Sequence, residues 1–316
     1  MQGSVWSIDA FRSTGREVAM HALILDAATV EVVTALRAER IEPLLLKGLA
    51  NHVWLWPEQE SVLSGDVDLL IEPERFADAG RVLAGLGFEV ELDDSDLVGQ
   101  NPHGHHWMRR GVCIDLHRAI FAAERGERAC WSALWRDHET LRIAGVPIAV
   151  PAVPARALQV AVHAIQHPGS LDEHTRAALE RAIAISDAET WAAAAAIAAE
   201  IGATAAFDAG LRTVPSGVVV ADRLNLSYEP TAAVRRSRLG LPAGMHGVDQ
   251  LVEARGARRR LALVAHKLLP SRRLIRAWSP LARRGTIGLI LAYLWRPFWV
   301  LGKLPGAVLA RRRASR

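Results

Sequence analysis

The sequence predicts an α+β chain, with a small mixed-sheet core, an all-helical domain behind it and a basic amphipathic tail. Three observations carry that reading. Short apolar, strand-like runs separated by helical patterns occupy residues 1–150. After Pro151-Ala152-Val153-Pro154 the periodicity is wholly helical. Charge is also divided. Residues 233–316 hold 19 Lys and Arg against only Asp249 and Glu253, a balance of +17; the whole chain is +4, which leaves −13 on residues 1–232. The expected divisions are therefore 1–150, 151–232 and 233–316.

At 316 residues the chain is long enough for about two domains and a large core. Half of it is apolar and 23% is charged, which excludes a disordered chain. Cys113 and Cys130 are its two cysteines and form no C-x-x-C pair, which argues against a disulfide scaffold or a zinc site. Asp9, Arg12, Arg16 and Glu17 precede any apolar run, unlike a signal peptide, so the expected location is cytoplasmic.

Taken in order, residues 17–40 predict an amphipathic helix through Leu23, Val30, Val33 and Leu36. A strand over Leu44–Lys47 follows, then a helix over Leu49–Trp56 whose Trp54 and Trp56 are read as core. Val67–Ile71 predicts a strand. Pro73 and the spacing of Phe76, Ala79, Val82, Leu83 and Leu86 predict a helix ending at Gly87. Phe88-Glu89-Val90 begins another strand, residues 91–104 form a polar loop, and Val112–His117 is strand-like. Residues 121–142 are read as a helical connection, and Val146–Val150, containing Pro147, as a short edge strand. Helices are expected over Ala155–Gln166, ended by Pro168-Gly169, and then over 171–186, 187–201 and 204–213.

The chemistry centres on Ser64-Gly65-Asp66-Val67-Asp68. Residues i and i+2 of a strand share a face, so Asp66 and Asp68 point one way and Val67 and Leu69 the other. Two carboxylates this close repel unless a cation lies between them, and carboxylate oxygens suit Mg²⁺ or Mn²⁺. Gly65 permits a close approach by backbone or ligand. Upstream, Lys47-Gly48 sits between a strand and a helix N-terminus. There free backbone N–H groups and the helix dipole favour an anion, and Lys47 adds a charge suited to phosphate. Downstream, Asp115 lies on a third strand-like run, with His117 on the same face of that strand. Three Asp residues on neighbouring strands beside an anion turn fit metal-assisted phosphoryl or nucleotidyl transfer. His117 is read either as orienting Asp115 or touching substrate, or as a structural histidine. His103, His105 and His106 have no evident fourth ligand and are read as a loop cluster entering a strand, with His105 or His106 near the substrate as the other reading, since this segment precedes the Asp115 strand. His163 and His167 share a helix face without a third ligand, a poor zinc site.

Lys47-Gly48, Gly65-Asp66-Val67-Asp68-Leu69-Leu70 and Asp115-Leu116-His117, in that order, resemble the uncharacterised bacterial nucleotidyltransferases of the polymerase-β-like superfamily. The resemblance spans roughly residues 20–215. It implies a nucleotidyltransferase core in which Asp66, Asp68 and Asp115 bind metal and carry catalysis. Lys47, Gly48, Gly65 and His117 would lie at the nucleotide. It also implies an NTP substrate, an acceptor that is a small molecule, a peptide or protein, or an RNA end, and a helical-domain histidine facing the cleft. Lys47-Gly48 stands where the superfamily usually has Gly-Ser, as in this family, and Val62 stands where members often carry an Arg. Val62 is the one feature favouring the alternative, a non-catalytic nucleotide-binding module that recruits a partner or membrane through the tail.

Between Thr286 and Leu304 the tail carries Ile287, Leu289, Ile290, Leu291, Tyr293, Leu294, Trp295, Phe298, Trp299 and Leu301, interrupted by Arg296 and Pro297. The run is marginal for a membrane span and better suited to an interfacial helix with aromatic anchors. Three uses of 270–316 are open: docking on an anionic membrane at its inner face, packing on the acidic body or a partner protein, and, behind these, binding RNA.

Overall fold

The computed structural model describes residues 15–58, 65–93, 96, 103–166, 171–229, 231, 234, 251–252, 254 and 256–314. Val62, His167 and Pro168-Gly169 lie outside the described residues. Contacts divide the chain into two units, one from Arg12–Val90 and His103–Leu239, the other drawing on Glu91–Pro102 and Gly240–Arg316.

The first unit begins with α1 (Gly15–Ala38), β1 (Leu44–Leu46), α2 (Gly48–Leu55), β2 (Val67–Leu70), α3 (Phe76–Gly85) and β3 (Glu89–Val90). It continues through β4 (Gly104–Arg109), β5 (Val112–His117), α4 (Glu127–Trp135), β6 (Glu139–Ile143) and β7 (Val146–Val150). Five helices follow: α5 (Val153–His163), α6 (Glu173–Ile185), α7 (Ala188–Ile201), α8 (Thr204–Leu211) and α9 (Pro215–Arg223). The seven strands form one mixed sheet, ordered β3-β4-β5-β2-β1-β7-β6. β2 with β5 and β1 with β7 are parallel; the other pairs are antiparallel. The chain is thus α+β, as its patterning predicts.

Period-two alternation decides what each face of the sheet meets. Leu45, Val67, Leu69, Ile114 and Leu116 pack with Val32, Val33 and Leu36 of α1 and with Ala79 and Leu83 of α3. Leu44, Leu46 and Leu70 join the other core, with Leu158 and Val162 of α5, Ala194 and Ala198 of α7 and Phe207 of α8. Asp68, Asp115 and His117 alternate with the first set, so they fall on the second face. Trp54 and Trp56 are partly buried against that same core. The helices are capped locally. Asp172 accepts from the Thr175 N–H and Asp187 from the Thr190 N–H, and α7 ends at Gly202 with φ 77°.

Three expectations are corrected. Only Glu127–Trp135 of the expected 121–142 helical connection is helical; Glu139–Ile143 is strand β6. Ala144 and Gly145 both have positive φ, which closes β6 and β7 into a two-residue hairpin. β7 is consequently internal, between β1 and β6, rather than an edge strand. Pro147 is tolerated because β1 pairs with β7 at Ala149, away from the missing N–H. The third correction concerns the histidine cluster, since His105 and His106 lie in a strand rather than in a loop. Gly104–Arg109 is strand β4, joined to β5 through Arg110 and Gly111, which again both have positive φ.

The second unit contains α10 (Ala257–Leu268), α11 (Arg272–Trp278), a short 3₁₀ turn at Leu281–Arg283 and α12 (Gly285–Ala314). Ile275, Ala282, Leu289 and Ala292 are buried together, flanked by Trp278 and Tyr293. Asp96 accepts from Ser271 Oγ, and Arg273 bridges Asp93 at 2.9 Å and Asp96 at 3.3 Å. Arg296 and Pro297 do not break the tail helix, since α12 runs through Pro297 and Pro305. Proline forfeits one helical hydrogen bond but is compatible with helical φ.

Candidate active site

The parallel pairing of β2 and β5 sets Asp68 directly opposite Asp115, while antiparallel β4 sets His106 opposite Asp115. The carboxylate of Asp68 is buried and doubly held. Lys47 Nζ donates to its Oδ1 at 3.0 Å, and His117 Nε2 lies 2.6 Å from the same oxygen. Asp115 Oδ1 meets His106 Nδ1 and accepts from Cys113 Sγ at 3.3 Å. Burial and the Asp115 carboxylate push the Cys113 thiol well above its usual range, so it stays protonated and donates.

Backbone geometry delivers Lys47. Its φ is 41°, and Gly48 follows with φ 38°, so two successive residues leave the strand in the left-handed region. For Lys47 this conformation is strained, and such strain commonly marks functional sites. α2 then starts with no side-chain cap and no acidic residue in its first turn, leaving its N-terminus electropositive. Among the described residues, a side chain added at Gly65 would meet nothing within 4 Å.

The electrostatics separate the carboxyls. Burial works against ionisation of Asp68, but the Lys47 charge and the His117 hydrogen bond prevail and hold it well below the usual carboxylate range. Asp66 goes the other way, raised to about 7 by burial and by the charges of Asp68 and Asp115. Burial would lower Lys47, yet Asp68, with Asp66 and Asp115 beyond, keeps its ammonium above the usual value. His103 stacks on His117 with centroids 5.6 Å apart; burial and the neighbouring His117 lower it to about 4, so it is neutral.

Ligand atoms of Asp68, Asp115 and His117 lie within 4.8 Å of one another, as do those of His106, Cys113 and Asp115. The first set is mainly hard oxygen, which suits Mg²⁺ or Mn²⁺. Asp66, raised by burial and then by the charges of Asp68 and Asp115, carries a like-charge repulsion that a divalent cation would relieve. On these two observations the residues fit such an ion.

A cavity beside the cluster is lined by Lys47, His103, His117, Gln159, His163 and Gln166. His163 Nδ1 lies 3.1 Å from Gln166 Oε1. Both amide atoms of Gln159, and Nδ1 of His117, are buried without a hydrogen-bond partner. The sequence reading missed the His106–Asp115 pair because it placed His106 in a loop. The Arg110-Gly111 dipeptide was the available signal, since it closes a hairpin that brings the two residues into register. Gln159 gave no signal; only packing shows that its amide is unpartnered.

Clustered carboxylates on parallel strands beside a backbone anion turn point to the class of phosphoryl-transfer proteins. Residues 6–216 match the family described as uncharacterised nucleotidyltransferase, and the chain belongs to that family. Among solved structures, it is similar to the antibiotic-resistance factor ANT(2'')-Ia, at 17% identity and a TM-score of 0.43 over 56% of this chain and 93% of that one. It is also similar to an antigenic nucleotidyltransferase-like protein from Paracoccidioides brasiliensis, at 16% identity and a TM-score of 0.38 over 66% and 95%. None of the curated proteins matches the chain.

Proposed function

We propose that the protein is a Mg²⁺- or Mn²⁺-dependent nucleotidyltransferase that moves a nucleoside monophosphate from an NTP to an acceptor. The observation that carries this reading is the register of Asp68 against Asp115 on parallel strands, with Asp66 leading into the same strand. Asp66, Asp68 and Asp115 would hold the metal, which when bound would neutralise the triphosphate and the charge that develops at the transferred phosphorus. The Lys47-Gly48 turn and the N-terminus of α2 receive the triphosphate. His117 fixes the orientation of Asp68. The acceptor hydroxyl attacks the α-phosphorus, the bond to pyrophosphate breaks, and Asp115 accepts the hydroxyl proton. His106, whose side chain is 61% exposed, passes that proton to solvent.

The acceptor class is a small molecule, a peptide or protein, or an RNA end, and a small or peptidic acceptor is favoured. Calorimetry of each NTP with and without Mg²⁺ tests the reading, with wild type beside Asp68→Asn. Metal-dependent NTP binding lost in the folded variant is the expected result. Equal binding by both proteins overturns the assignment, as does transfer activity retained by Asp66→Asn.

A further inference from the structure

Helix α12 carries an apolar stripe that the described residues of its own unit leave uncovered. Ile287, Ile290, Leu291, Leu294, Trp295, Phe298 and Leu301 are between 47% and 76% exposed. Their spacing puts them on one face of the helix. The opposite face anchors the helix. Leu289 and Ala292 are buried against Ile275 and Ala282, and Tyr293 donates its hydroxyl to the Pro270 carbonyl at 2.7 Å.

Arg296, the one charge inside the run, is turned away from the stripe. Its guanidinium lies 4.4 Å from the Trp278 ring and 4.9 Å from the Trp299 ring, and Nε donates to the Lys267 carbonyl at 3.2 Å. Cations stand at both ends instead: exposed Arg283 and Arg284 before the helix, and exposed Lys303 beyond Leu301, with Arg311-Arg312-Arg313 further along the sequence. From 254 to the last residue the sequence contains no Asp or Glu.

We propose that this face docks on an anionic lipid bilayer, with α12 lying in the membrane plane. An uncharged stripe with exposed Trp295 and Phe298, bracketed by arginines, matches an acyl boundary below an anionic headgroup layer. Charge selects this occupant over others. Two copies joined through the stripe would bring basic ends together, whether parallel or antiparallel, with no acidic residue in the helix itself to offset them. A nucleic acid would meet the arginines and leave the stripe in water. The 22 residues Gly285–Gly306 are long and apolar enough to cross a membrane. Crossing would strip Leu289, Ala292 and Tyr293 from their packing partners, whereas the in-plane arrangement keeps those contacts.

Flotation of the full chain with phosphatidylcholine vesicles, with and without phosphatidylglycerol, tests the proposal. Wild type should float with the anionic vesicles and weaken as salt rises. Leu294→Ser/Phe298→Ser changes only exposed side chains and should lower partitioning by about tenfold or more. Arg283→Gln/Arg284→Gln should cost about tenfold on anionic vesicles and nothing on neutral ones. Circular dichroism melts confirm that both variants fold, and the arginine pair decides the matter if the first does not. Quenching of tryptophan fluorescence should be stronger from bromines near the headgroup end of the acyl chain than from bromines near its tip. Undiminished flotation of Leu294→Ser/Phe298→Ser overturns the proposal, as does stronger quenching from the chain tip. Wild type that ignores both vesicles but forms a dimer abolished by the same variant assigns the stripe to a second copy instead.

Discussion

Replacing Asp66 by Asn should stabilise the metal-free protein at high pH and destroy its activity. Asp66 is raised from 3.8 to about 7 by burial and by the charges of Asp68 and Asp115. The sign follows from linkage. Between those two values the folded chain holds a proton that the unfolded chain has released, so this carboxyl's contribution to stability is complete below about pH 4 and is lost as pH rises through 7. A shift of about three units corresponds to at most about 4 kcal/mol, and screening in an open cleft should leave roughly 2 kcal/mol. Asn removes the charge and keeps the shape of the protonated acid. At pH 8 in EDTA, Asp66→Asn should therefore melt roughly 4–6 °C above wild type. At pH 5 the gap should be much smaller, because the folded wild type keeps the proton there although its unfolded chain has released it, and the two should coincide only below about pH 4. Mg²⁺ should close the gap at pH 8 by stabilising wild type alone. The assay is a set of thermal melts at both pH values, with and without the ion. An equal difference at pH 5 and pH 8, or none at either, refutes the claim that Asp66 is strained by its neighbours.

Other consequences are read more simply. Lys47→Met removes the cation that holds Asp68 ionised, so metal-dependent NTP affinity by calorimetry should fall by about tenfold or more. Gly210→Ala would place a methyl 1.9 Å from the Ala161 carbonyl oxygen, where α8 crosses α5; denaturant melts should show a loss of about 3 kcal/mol. Gln159→Leu deletes two buried, unpartnered polar atoms and should stabilise the resting protein by about 1 kcal/mol. If the amide contacts a substrate, the same variant raises that substrate's KM, so kinetics beside melts separate binding from a purely structural role.

Much of this site was legible because a strand has a period of two. Asp66, Val67, Asp68 and Leu69 declare their two faces without any structure, and the packing of Val67 and Leu69 on α1 and α3 follows that alternation. The long helices were equally readable, since apolar spacing and caps such as Asp172 and Asp187 are local. What was hidden depended on partners distant in sequence or on turns that were passed over. Both missed strands, β4 and β6, enter hairpins whose two turn residues have positive φ, Arg110-Gly111 and Ala144-Gly145. Neither pair begins with the Asn or Asp that makes such turns conspicuous. Reading His105 and His106 as a loop cluster at the entry to a strand leaves His106 without a register against Asp115. The contact of Lys47 with Asp68 joins residues 21 apart, and no spacing rule reports it.

That contact has a consequence for how the acid cluster rests on its own. In sites where metal neutralises a cluster of acids, removing it commonly leaves the acids to repel and the fold to loosen. Here one acid already has a tethered counter-ion in Lys47, a second holds a proton near neutrality, and the third leans on His106. The centre is a closed set of charges at rest. On the proposed reading, a metal-bound triphosphate arriving here would have to compete with Lys47 for Asp68 and with the proton on Asp66.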